Sequence, residues 1–181
     1  SLASGAALRW ALAFAGFYAL AYLYTMPPAT SEHLPVAWTG NIDLFTYVRY
    51  TKYLGRLGPS NVAGFSYMNF VYLQTPAVFY LLGFCSLLFG QEPLNAAMPV
   101  AFALTALMAM MVARISRSVF SVSGASALAI GAVAISAPFF RYVAGAYFLS
   151  TLMATPVFLY LVQTTVERRP AGRFDAPLAI R

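Results

Sequence analysis

The chain predicts an all-α, polytopic membrane protein, and three observations carry that prediction. Of its 181 residues, 61% are hydrophobic and 9% charged, whereas a soluble domain carries charge at about a quarter of its positions. Mean hydropathy is +0.72. Several apolar runs approach the roughly 20 residues needed to cross a bilayer, and prolines and arginines punctuate their ends.

Four segments read as spans. The first is Ala6–Met26, stopped by Pro27-Pro28. No small-x-small cleavage site follows it convincingly, so it reads as a retained anchor and not a signal peptide. The second is Ala96–Ala113, ending at Arg114 and Arg117. The third is Val122–Phe140, ending at Pro138 and Arg141, and the fourth is Tyr147–Val166, ending at Glu167-Arg168-Arg169-Pro170. Small residues crowd the third span (Gly124, Ala127, Gly131, Ala132 and Ala134 among them), which predicts close packing against neighbouring helices.

A fifth apolar run, Leu73–Gly90, contains Pro76 and Gly83. If it does not cross, Arg9, Arg114, Arg117, Arg168, Arg169 and Arg173 all fall on one side of the membrane. If it does, Arg114 and Arg117 lie opposite Arg9. The positive-inside rule favours the first arrangement. Leu73–Gly90 is therefore expected in the outer interface as a re-entrant or surface helix, with residues 27–95 forming one extracytoplasmic loop. Within that loop Leu44, Tyr47, Val48 and Leu54 recur at near-helical spacing, which predicts an amphipathic surface helix over 42–57, ended by Gly58-Pro59-Ser60-Asn61. The chain opens on Ser1 and ends at Asp175-Ala-Pro-Leu-Ala-Ile-Arg181 without closing an element, so we expect the N-terminal part of a longer protein.

Composition narrows the chemistry. One His and one Cys preclude a Cys/His metal cluster, and Cys85 lies in an apolar run as a small hydrophobe. There is no Gly-rich phosphate loop and no Gly-x-Ser-x-Gly elbow. No carboxylate lies inside a span, which argues against a buried proton relay. The net charge of +6 reflects arginines at span ends, which meet anionic lipid; nucleic acid is not the expected partner.

The outer loop holds the remaining candidates. Asp43 is one of five carboxylates and opens the aromatic, basic stretch 41–56. It suits a general base for an attacking hydroxyl, or a metal ligand. Arg49, Lys52, Arg56 and Arg141 suit a phosphate or diphosphate head group at the interface. The plainer alternative makes Asp43 a helix-start residue favoured by the dipole and the basic groups snorkelling side chains. Glu92 reads as a helix-start residue, and His33 as an exposed loop residue.

One anchor helix, an outer loop with Asp43, the segment Tyr72-Leu-Gln-Thr-Pro-Ala-Val-Phe-Tyr80 with Gly83 and Phe89-Gly90, the Arg114/Arg117 span end and Gly145-Ala-Tyr-Phe-Leu-Ser150 follow in order. This order resembles the N-terminal module of the GT-C glycosyltransferases, particularly the bacterial dolichyl-mannosyltransferase and aminoarabinose-transferase branch. The resemblance covers most of residues 6–167. It implies a polyprenyl-phosphate-linked sugar donor, Asp43 as base or metal ligand, and a possible divalent metal. It also implies that Thr75 and Tyr80 lie near the donor phosphate. Gln74 and Thr75 are uncharged, so phosphate charge would fall to Arg141 or another basic residue. Two departures stand out: Tyr147-Phe-Leu-Ser150-Thr151 offers only hydroxyls where many members have a second acid, and the chain has fewer spans than the family.

The resemblance implies an extracytoplasmic transferase of a bacterial inner membrane, with the N-terminus cytoplasmic. The competing reading is a non-catalytic membrane subunit that packs against other subunits through the small-residue face of the third span. A lipid or solute transporter fragment fits less well, because the spans hold no ionisable or broken-helix site.

Overall fold

A computed structural model describes residues 2–25, 47–52, 76–137 and 149–167. All regular structure among them is helical. Helix α1 is Leu2–Thr25, α2 is Pro76–Phe89, α3 is Pro93–Phe120, α4 is Gly124–Ser136 and α5 is Leu149–Glu167, and residues 47–52 form a further short helical segment. Three stretches are long and apolar enough to cross a membrane: Gly5–Tyr24, Pro93–Phe120 and Leu149–Glu167. At 1.5 Å per residue, the 28 residues of α3 reach roughly 42 Å and the 19 of α5 about 29 Å, against a hydrocarbon thickness of about 30 Å.

Helix α3 is the centre. Of its most apolar stretch 61% is buried, against 11% for α1 and 17% for α5. The other helices lean on it in defined directions. Tyr18 and Tyr22 of α1 meet the ring of Phe102 edge-on at 5.9 and 5.8 Å, while Arg9 and Arg117 line one cleft. Helix α1 therefore runs antiparallel to α3. Gly124 of α4 lines that same cleft and Gly131 lies on Ala109, so α4 is also antiparallel. Leu149 and Leu152 share one buried cluster with Ala96, Ala97 and Val100, whereas Leu159 packs against the cluster that holds Met108 and Ala109, so α5 runs parallel to α3. Arg9, Arg117 and the end of α5 consequently share one end of the bundle, and the start of α3 and of α5 share the other.

Local chemistry sets the turns. Gly90, at φ +61°, ends α2: the Gly90 N–H donates to the Leu87 carbonyl (3.4 Å) and the Gln91 N–H to the Ser86 carbonyl (3.0 Å). That paired pattern caps a helix with a left-handed residue, which glycine adopts without strain. Glu92 and Pro93 then start α3, proline taking a first-turn position that needs no N–H. At the other end Ser121 is left-handed (φ 52°), and Ser123 caps α4 by accepting from the Ser126 N–H at 3.1 Å. Three hydroxyls within the apolar helices bond to their own backbone: Thr105 donates to the Ala101 carbonyl, Ser136 to Ala132 and Thr155 to Thr151.

Several expected boundaries shift. The helix expected at 96–113 runs over Pro93–Phe120, so Arg114 and Arg117 lie within its last turns and not beyond them. Arginine is a good helix former, its stem lies along apolar surface, and its charge suits the carbonyl end of a helix. The third expected span, Val122–Phe140, begins as a helix only at Gly124, because Ser123 is its cap. Its 13 helical residues through Ser136 rise roughly 20 Å; residues 138–140 lie outside the description. Tight packing of α4 is present: a Cβ on Gly131 would stand 2.7 Å from the Ala109 carbonyl oxygen and 3.0 Å from Phe17 Cζ. Ala127, Gly131 and Ile135 form that buried face, while Leu128, Ile130 and Val133 are exposed.

Helix α2 has 14 residues, roughly 21 Å, and packs on the N-terminal half of α3 through Val78, Phe79 and Leu82. Of the predicted surface helix 42–57, residues 47–52 are described, and they are helical. Their burial differs from expectation. Tyr50 and Thr51 join Tyr47 on a face buried against protein, while Arg49 and Lys52 are exposed. The neighbour that imposes this is Phe79, whose ring takes Tyr47 at 5.9 Å and Tyr50 at 5.6 Å.

Candidate functional site

The end of the bundle where α3 and α5 begin gathers the aromatic segment 47–52, helix α2 and the first turns of α3 and α5. Tyr47, Tyr50, Val78, Phe79, Leu82, Ala97 and Leu149 belong to one buried cluster there. Small side chains on α3 (Ala96, Ala97, Ala101) leave room for the three aromatic rings, and large flat rings fill that room with little side-chain entropy to lose.

Two polar contacts fasten the segment. The Tyr47 hydroxyl lies 3.0 Å from Ser150 Oγ, joining it to the start of α5 across 103 residues of sequence. Lys52 Nζ lies 2.5 Å from a Glu92 carboxylate oxygen, joining it to the start of α3. The two side chains of that ion pair are 47% and 65% exposed, so water screens it and its strength is modest. Thr51 Oγ1 of the segment and Ser86 Oγ of α2 are buried and have no hydrogen-bond partner among the described residues.

The expected site residues divide into two groups. Arg49, Lys52 and Tyr80 are described, and all three are exposed: the first two on segment 47–52, Tyr80 on α2. A phosphate at Lys52 would share its ammonium with Glu92. Asp43, Arg56, Thr75 and Arg141 lie outside the described residues, as do Glu32 and His33. Among the described residues no three His, Cys, Asp or Glu side chains converge on a possible metal position. This end of the bundle thus shows aromatic packing, a hydroxyl pair and an ion pair around a segment that begins four residues in sequence after Asp43.

Sequence reasoning missed Glu92 and Ser150 as partners. Glu92 does start α3, but its side chain makes no capping bond and reaches Lys52 instead. Ser150, where the glycosyltransferase resemblance would put an acid, holds Tyr47. Neither pairing has a short-range signal, because the partners are 40 and 103 residues apart. Compared with protein-family models, curated proteins and solved structures, the chain matches none.

Proposed function

We propose that the chain is the membrane module of a glycosyltransferase that uses a polyprenyl-phosphate-linked sugar at the extracytoplasmic face of a bacterial inner membrane, with its N-terminus cytoplasmic. The observation that carries the reading is the anchoring of segment 47–52. A basic, aromatic stretch just after Asp43 is bonded to the first turns of two bundle helices through Tyr47–Ser150 and Lys52–Glu92. A base in sequence next to so fixed a support suits chemistry that depends on holding reactants in place.

In this reading Asp43 takes the proton of the acceptor hydroxyl as its oxygen attacks the anomeric carbon. The bond from that carbon to the donor phosphate oxygen breaks, and the electron pair leaves with the polyprenyl phosphate. Arg49, Arg56 and Arg141 supply positive charge for that leaving group. Should a divalent metal be required, Asp43 is the carboxylate in this segment to hold it, and the metal would then neutralise phosphate charge.

The test follows release of polyprenyl phosphate from polyprenyl-phosphate-linked sugars by the full-length protein in proteoliposomes. Asp43→Asn should lower turnover by about 10²–10⁴-fold with thermal stability unchanged. Undiminished turnover in that variant overturns the assignment.

A non-catalytic subunit is the second reading, favoured by the small buried share of α1 and α5, whose outer faces await lipid or further helices. Its expected contact is taken, however. The tight face of α4 around Gly131 is filled within the chain by Ala109 and Phe17.

A further inference from the structure

The opposite end of the bundle holds a cleft that the glycosyltransferase reading does not use. It lies where the first turns of α1, the last turns of α3 and the start of α4 meet, with a volume of about 340 Å³. Its lining includes Arg9, Trp10, Ala13, Arg117, Gly124 and Leu128, with no carboxylate. Arg9 Nε donates to the Gly5 carbonyl at 3.2 Å, which holds the guanidinium in place and leaves its terminal nitrogens for another acceptor. Neither Arg9 nor Arg117 forms an ion pair with another described residue.

We propose that this cleft binds the phosphate of an anionic membrane lipid. Two guanidiniums from different helices present forked donors to one space, a geometry suited to phosphate oxygens. The start of α4 borders the same space and adds the positive end of its dipole. The remaining lining is apolar: Ala13 and Leu128 offer a wall for the lipid's upper acyl carbons. Trp10, beside Arg9 and 40% exposed, has the amphipathic ring typical of head-group depth. A zwitterionic lipid brings the same phosphate with its own cation, which two adjacent arginines repel. An anionic lipid brings the phosphate without it. The site would clamp α1 to the α3–α4 turn.

Trp10 is a built-in reporter. In a Trp38→Phe background, the full chain is reconstituted in phosphatidylcholine vesicles with a minor fraction of brominated phosphatidylglycerol, then with brominated phosphatidylcholine at the same fraction. Quenching should report phosphatidylglycerol enriched about thirtyfold over bulk at Trp10, as about 1 kcal/mol from each of the two arginines implies. Arg9→Gln combined with Arg117→Gln should bring the ratio to the bulk value. Arg114→Gln removes a charge at the same end but does not line the cleft, and it should leave most of the enrichment. Equal quenching by the two lipids overturns the proposal, as does equal loss in Arg114→Gln, which would reduce the effect to general surface charge. Inorganic phosphate in excess over the lipid should not displace it. Displacement would assign the cleft to free phosphate instead.

Discussion

The two ends of the bundle solve the same packing problem with different chemistry. Where α3 and α5 begin, aromatic rings do the filling: Tyr47, Tyr50 and Phe79 occupy space left by alanines of α3, and polar contacts between distant residues tie the layers together. Around the middle and toward the other end, α4 comes so close to α3 that a glycine is needed at position 131, and Phe17 closes the gap from α1. Beyond that contact the helices part to leave a cleft lined by Arg9 and Arg117. Large side chains with hydroxyls hold the first end; small ones hold the second. The first docks the segment 47–52 onto the bundle, whereas the second fixes helix directions and sets Arg9 and Arg117 around one cleft.

Substitutions can break this contrast, and the largest effect falls on the catalytic assignment, the Asp43→Asn loss already described. Next comes the aromatic core. Phe79→Ala removes the ring on which both tyrosines pack, and should cost about 3–5 kcal/mol, read as a lower midpoint in detergent melting. Its effect should stay at that end, leaving Trp10 lipid contacts unchanged. At the other contact Gly131→Ala forces a Cβ onto a backbone carbonyl that cannot swing away, and should cost about 1–3 kcal/mol. Gly124→Ala meets open space at its Cβ, so it should not disturb packing and serves as the control. Smaller again is Tyr47→Phe, which deletes the bond to Ser150 and keeps the ring, at about 1 kcal/mol. The smallest effect belongs to the half-exposed ion pair. Lys52→Glu should cost at most about 1 kcal/mol, and pairing it with Glu92→Lys should recover the loss.

Much of this architecture was legible in the sequence because its signals are local. The stop of α1 before Pro27 and the reading of Glu92 as a helix start are properties of adjacent residues. The Gly90 cap and the start of α3 at Pro93, three residues before the expected Ala96, were not drawn from them. The antiparallel order of α1 and α3 followed from where arginines fall, since Arg9 and Arg117 need the same membrane face. What escaped depends on residues far apart. The extension of α3 through Arg114 and Arg117 was hidden because a charge was read as an end, although an arginine stem continues a helix readily. Burial of Tyr50 and Thr51 could not be seen without Phe79, and Glu92, which does start α3 as expected, gave no sign of its pairing with Lys52. In the segment 47–52 the helix was legible, and its partners Ser150 and Glu92 were not.

The central claim is that these two ends lie on opposite sides of a membrane, the arginine end in the cytoplasm. Single cysteines test it directly in a Cys85→Ala background, with Gln91→Cys in the exposed α2–α3 turn and Ser118→Cys on the exposed last turn of α3. In intact cells expressing the protein, a membrane-impermeant maleimide should label the cysteine at position 91 and reach that at 118 only after permeabilisation. Labelling of position 118 in intact cells, or of both positions alike, would contradict the topology and with it the extracytoplasmic site.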